Sequence, residues 1–271
     1  MPAAATRPIA LITGASSGIG ESLCHCFAGA GHDVVLVARS ADKLQLLARL
    51  LEQTHSIRAT VLPADLSAPT AAAQLLATLK RRRRVPDVLV NCAGVLDQRA
   101  FVAMKPAAHQ AIIDLNISGL TAMLAHLLPV MQQRGSGRVI NVASIAAFQP
   151  IPLLATYAAS KAYVLSLTES LAEELRGTGV TVTALCPGIT ATNMLSEAAA
   201  KNQQLGRLPG FLIGNVDEVA RLGFEACMRG DVICVPGVLN RAATLASRST
   251  PKWLLRRVSG MLARTSGQAG G

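Results

Sequence analysis

Seven short runs of β-branched and apolar residues alternate with segments of helical period along most of the chain, and few folds accommodate that order. The runs are Ile9–Thr13, 33–39, 59–63, 87–91, 138–144, 180–186 and 232–235. Helical periods fall between them at 17–30, 41–54, 69–83, 106–134, 155–176 and 216–229. A strand, a helix and the next strand of the same sheet close almost always as a right-handed crossover, which makes the strands parallel and covers both faces. The expectation is an α/β protein with a doubly wound, seven-stranded parallel sheet, whose ligand crevice lies beyond the carboxyl ends of the strands. The scarcity of aromatics (3%) and the wealth of aliphatic residues suit helices packed on such a sheet. Residues 1–240 are expected to form one domain, with 189–215 as a weakly periodic lid over the substrate. Residues 241–271 are expected to form a partly helical basic extension with a disordered end.

The formal charge of +10 is local. No acid follows Asp231, whereas Arg241, Arg248, Lys252, Arg256, Arg257 and Arg264 do, and Lys80 to Arg84 form a second basic block. The rest of the chain is near neutrality. The block at 80–84 reads as a solvated helix end, and without interleaved aromatics it does not read as a nucleic-acid surface. The six cysteines, Cys24, Cys26, Cys92, Cys186, Cys227 and Cys234, have no CxxC or framework spacing and are expected reduced and mostly buried. Five scattered histidines offer no metal-ligand spacing, and no metal is expected. The N-terminal residues show no signal-peptide pattern, and no run of about 18 uncharged apolar residues predicts a membrane span. These features predict a cytoplasmic protein.

The first strand runs into TGASSGIG, where Gly14, Gly18 and Gly20 open a helix. Glycines there permit a tight turn and let backbone N–H groups approach a pyrophosphate at the helix N-terminus. Ser16, Ser17 and Ile19, inside the turn, are expected to touch the same ligand. After the second strand, Ala38 and Arg39 stand where an NAD-selective fold carries an acid for the ribose 2′-hydroxyl. A missing carboxylate and a guanidinium able to pair with a 2′-phosphate predict NADP(H) over NAD(H). Asp65 and Leu66 end the third strand within reach of an adenine. Asn91, Ala93 and Gly94 close the fourth, where small residues leave room for the cofactor.

Tyr157 and Lys161 stand four residues apart on one helix face, 13 residues after Ser144. A phenol ionising near ~10 is a poor acid–base group at neutral pH unless a neighbouring positive charge favours the phenolate. Ser144, ending the fifth strand, can hold a substrate oxygen as charge builds on it. The other tyrosine, Tyr163, has Leu167 at the equivalent spacing and reads as packing.

Taken in order, TGASSGIG, NCAG, Asn116 in DLNISG, Ser144, YAASK and PGITAT resemble the short-chain dehydrogenase/reductase family over residues 8 to about 237. The resemblance implies a Rossmann fold of ordinary single-domain length. It also implies a tetrad of Asn116, Ser144, Tyr157 and Lys161. In this reading Tyr157 exchanges the proton, and Lys161 lowers its pKa and binds the nicotinamide ribose. Asn116 holds a relay water. Pro187, Gly188, Ile189 and Thr192 match the segment that meets the carboxamide. A homodimer or homotetramer through 106–134 and 155–176 is implied as well.

The substrate is expected to be a small carbonyl or alcohol, probed by Val95, Leu96 and Phe101 after the fourth strand and by Ile145, Phe148, Ile151, Leu153 and Leu154 after the fifth. Met194, Leu195, Leu208, Phe211 and Leu212 would add a lid, and together these walls predict an apolar molecule. Leu254, Val258, Met261 and Leu262 share a helical stripe among basic residues, which suits either peripheral membrane contact or docking on protein. A catalytically idle NADP(H)-binding sensor or scaffold is the competing reading, disfavoured by the intact Ser144–Tyr157–Lys161 set.

Overall fold

The computed structural model describes residues 7–82, 84–190, 214–249 and 257. Its strands are β1 (Ile9–Thr13), β2 (Asp33–Val37), β3 (Ala59–Val61), β4 (Val88–Asn91), β5 (Gly137–Val142), β6 (Val180–Leu185) and β7 (Ile233–Cys234). They form one sheet in the order β3-β2-β1-β4-β5-β6-β7, and every pair is parallel. The chain therefore builds outward from β1 in one direction, returns to β4 on its other side, and builds outward again. The reversal between β1 and β4 leaves a crevice at their carboxyl ends.

Helices α1 (Gly18–Gly29), α2 (Ala41–His55) and α7 (Val216–Arg229) cover one face. Helices α3 (Ala71–Arg81), α5 (Leu120–Arg134) and α6 (Ala155–Glu174) cover the other. Side chains of adjacent strand residues point to opposite faces, so each strand feeds both cores. Leu11, Leu89 and Val139 pack with Leu79, Met123, Leu127 and Val164 on the α3/α5/α6 face. Ile12, Val90 and Ile140 pack with Leu23, Phe27, Leu44 and Cys227 on the α1/α2/α7 face. Strands buried on both sides are apolar at most positions, which is why they read as nearly continuous apolar runs.

The segment expected as one helix at 106–134 is α4 (Pro106–Ile113), a π-helical turn at Asp114–Gly119, and α5. Across its full length, Pro106–Arg134, it is long and apolar enough to cross a membrane. Ile112, Met123, Leu127 and Met131 are buried, however, and α5 packs against α3 and the sheet, as a core helix does. The basic block ends α3 with Lys80, Arg81 and Arg82 exposed, as a solvated helix end should be, and only Arg84 departs from that reading. Arg84 pairs with Asp33 at 3.0 Å with its side chain 16% exposed, tying the segment before β4 to the start of β2. Helix α8 (Val238–Ser249) runs across the expected domain end at residue 240 and packs against the 3₁₀ turn Ile145–Phe148. The apolar stripe expected further on, Leu254 to Leu262, lies outside the described residues.

Candidate active site

The carboxyl ends of β1, β2, β4, β5 and β6 open into one cavity of about 670 Å³. Its walls include Gly14, Ser16, Ser17, Gly18, Ile19, Arg39, Asp65, Leu66, Ala93 and Gly94 toward one end. Ser144, Tyr157, Lys161, Pro187, Gly188 and Ile189 continue it. Three expected residues lie behind these walls: Asn91, Gly20 and Asn116, the last buried with its Oδ1 next to Gly94. Asn91 is buried and donates through its amide to Asn141 Oδ1 at 2.9 Å, with Asn141 donating in turn to Thr168 on α6. It braces β4 against β5 and does not face the cavity. Gly20 also lies behind the wall, since a Cβ there would sit 2.2 Å from the Gly14 carbonyl oxygen. It lets α1 start directly beneath the turn. Thr192 and the lid residues lie outside the described residues, but the ends of that segment are joined, with Gly214 N–H donating to Ile189 O at 2.8 Å.

The glycine turn is tight and bare of side chains at Gly14 and Gly18, which leaves backbone N–H groups open to an anion such as a phosphate. Gly14 (φ +68°) and Gly18 (φ +59°) adopt left-handed conformations open to glycine at no steric cost. A Cβ on Gly14 would meet the Ala93 backbone nitrogen at 2.9 Å. Thr13, which the sequence reading overlooked, makes that contact orderly. Its hydroxyl donates to Val90 O and accepts from the N–H groups of Cys92 and Ala93 at 3.0 and 3.1 Å. A polar residue ending a wholly apolar strand was the available signal. Arg39 stands exposed at the rim. Asp65 has its carboxyl held below the usual range, first by the Ser67 hydroxyl and N–H on Oδ1 and then by the attraction of Arg39. The turn, the α1 N-terminus and the Arg39–Asp65 rim fit a dinucleotide lying along the cavity.

Ser144 leaves β5 in extended conformation and caps the following 3₁₀ turn, its Oγ accepting from Ala146 N–H at 3.1 Å. Ile145 N–H donates to Pro187 O at 2.9 Å, which brings the Pro187–Gly188 turn alongside Ser144. Lys161 is buried one turn along α6 from Tyr157, its Nζ 5.7 Å from the Tyr157 ring centre and donating to Val142 O at 2.8 Å. Burial pushes the Lys161 ammonium down to about 8, against the opposing effect of Cys92 and Cys186. Burial also pushes the Tyr157 phenol up, while its hydrogen bond with Ser144 works the other way. The sequence reading expected a lowered phenol. In this state desolvation outweighs the neighbouring groups, and Lys161 is directed at a carbonyl.

Asn116 sits in the π-helical turn, where the helix widens and Gly119 approaches Leu66 so closely that a Cβ would be 2.3 Å from its carbonyl oxygen. Its Oδ1 accepts from Val95 N–H, and its Nδ2 donates to Val95 O and Ser160 Oγ. Both amide hydrogens are engaged, so a relay water would have to donate to Oδ1. The substrate half of the cavity is walled by Val95, Leu96, Ile145, Ile151 and Leu154, with Gln98 and Gln149 as neutral polar groups. Both glutamines went unnoticed in sequence. Phe101, Phe148 and Leu153 are not among the walls: Phe101 is 60% exposed and Phe148 packs against the core. Tyr163 bonds Thr121 through its hydroxyl, between α6 and α5.

The sequence profile described as short chain dehydrogenase matches residues 8–203. An uncharacterized oxidoreductase of Staphylococcus saprophyticus is 35% identical over 184 residues, 68% of this chain and 79% of that protein. The solved structure of a short-chain dehydrogenase from Sphingobium yanoikuyae in complex with NADPH superposes with a TM-score of 0.79 at 31% identity, over 90% of this chain and 96% of that one. A structure described for 7beta-hydroxysteroid dehydrogenase stereoselectivity gives 0.84 at 26% identity, over 93% and 96%. With this sheet order and these matches, the chain belongs to the short-chain dehydrogenase/reductase family of oxidoreductases.

Proposed function

We propose that the protein is an NADPH-dependent reductase of apolar ketones, able to run in reverse on the alcohols. The observation that carries this reading is the single cavity that joins a glycine turn with Arg39 at its rim to Ser144, Tyr157 and Lys161. The glycine turn would hold the pyrophosphate, Arg39 the 2′-phosphate, and Asp65 with Leu66 the adenine. Ala93 and Gly94 would flank the ring system. Lys161 would bind the nicotinamide ribose, and the backbone at Gly188 and Ile189 the carboxamide. The bound cofactor supplies the hydride that adds to the carbonyl carbon. Ser144 donates a hydrogen bond to the substrate oxygen, and Tyr157 gives it a proton. Lys161, when protonated, favours the phenolate left behind. Asn116 fixes Val95, and the second lone pair of its Oδ1 would accept from a water that returns the proton from solvent.

The aliphatic substrate walls and the two uncharged amides support a neutral, largely apolar substrate. The steroid enzyme among the solved relatives supports the same class. Ketones, quinones and acyl-type carbonyls followed by NADPH absorbance, with NADH in parallel, test the proposal. At least one ketone should be reduced, with kcat/KM for NADPH exceeding that for NADH by about 10-fold or more. Equal kcat/KM for both cofactors in the wild type and in Arg39→Ala would refute the cofactor assignment.

A further inference from the structure

The loop at 95–104 and the first turn of α6 both contribute to the substrate half of the cavity, Leu96 and Gln98 from one and Leu154 and Tyr157 from the other. Two links join these segments. Arg99 N–H donates to Leu153 O at 2.9 Å, and Leu153 takes a left-handed conformation (φ +67°) that a branched residue adopts only where its surroundings enforce it. His109 on α4 makes the second link. Its Nε2 lies 3.2 Å from Phe101 O and its Nδ1 2.7 Å from Thr156 Oγ1. A carbonyl oxygen only accepts, so Nε2 donates to Phe101 O, and Nδ1 and the Thr156 hydroxyl share the second hydrogen bond. The Phe101 ring lies over the imidazole, with centres 4.2 Å apart. Thr156 immediately precedes Tyr157.

We infer that His109 is a positioning residue. Through Phe101 O and Thr156 it locks the 95–104 loop to the turn that carries Tyr157, and so fixes the substrate wall relative to the phenol. The consequence for turnover rests on Tyr157 acting as the proton donor, whereas the lock is a property of the fold. Apart from Lys161, a full turn further along α6 and held by Val142 O, the cofactor half of the cavity is built by other elements. Losing the lock therefore disturbs substrate reduction and leaves dinucleotide binding intact.

Hydrogen exchange on the full-length protein tests the lock, with NADPH affinity and reduction of acetophenone measured on the same variants. His109→Ala and Thr156→Val should each speed exchange in peptides spanning 97–104 and 153–157 by about 10-fold, the scale of the one hydrogen bond that both lose. The double variant should go little further, because both changes break one shared bond. His109→Gln, which can still donate and accept, should stay near wild type. NADPH affinity should be unchanged throughout, and kcat/KM for acetophenone should fall about 10-fold in the first two variants and recover in His109→Gln. Wild-type exchange in both single variants would overturn the inference. So would faster exchange across the whole fold with no recovery in His109→Gln. If His109→Ala does not fold, the near-isosteric Thr156→Val carries the same comparison. If the wild type reduces no ketone, the reductase reading fails alone, and exchange still decides the lock.

Discussion

Lys161 is the residue whose chemistry depends most on where the fold puts it. Its folded value near 8 lies well below the ordinary 10.5, so folding favours the neutral amine. In the reduction direction, kcat/KM should therefore fall as pH rises through about 8, because the positive charge that favours the departing Tyr157 proton is lost. A pH–rate profile that stays flat to pH about 10 would contradict this role. The spacing of Tyr157 and Lys161 and the strand-end position of Ser144 were legible in sequence because helical period and strand length set them locally. The phenol's raised pKa was not, because its desolvation depends on how α6 packs against β5 and β6. Asn91 misled for a related reason. Its place at a strand end suggested the cavity, but its partner Asn141 lies 50 residues away on the neighbouring strand.

Among the elements, the junction of β1, the glycine turn and α1 is the most tightly specified. A methyl on Gly20 would fall 2.2 Å from the Gly14 carbonyl oxygen, backbone that cannot yield without moving the turn. Gly20→Ala should lower the urea midpoint by the equivalent of about 2 kcal/mol or more and weaken NADPH binding as well. An unchanged midpoint and affinity would show that α1 has freedom its packing denies. The alternation of strands and helices, and most element boundaries to within a residue or two, could be read directly from hydrophobic period. The π-helical turn at Asp114–Gly119 could not. It answers to the approach of Gly119 to Leu66, a tertiary contact with no signature in local sequence. Likewise α8 reads as the start of a basic tail, yet its first turns rest on the domain. A Cβ on Gly188 would lie 2.5 Å from the Asn240 amide.

At the scale of the molecule, the free cysteines make stability depend on alkaline pH. Burial raises the thiols of Cys24, Cys26, Cys92, Cys227 and Cys234 above their ordinary 9, Cys92 to about 11 and Cys227 to about 12. A folded state that keeps thiol protons the unfolded chain has lost grows less stable as pH rises. Lys161 acts oppositely between about 8 and 10.5, since the unfolded chain then binds the extra proton. Five thiols outweigh one lysine, so the urea midpoint should fall between pH about 9 and 11, and a rise there would show that the thiols are not buried as described. The sheet also holds the two halves of the cavity in register, the glycine turn at one end and Tyr157 at the other. That arrangement is tested most directly by Tyr157→Phe, which removes one oxygen and leaves the walls in place. NADPH titration by fluorescence should give wild-type affinity for this variant, while ketone reduction falls by about 10³-fold or more. Turnover comparable to wild type would mean that Tyr157 is not the proton donor.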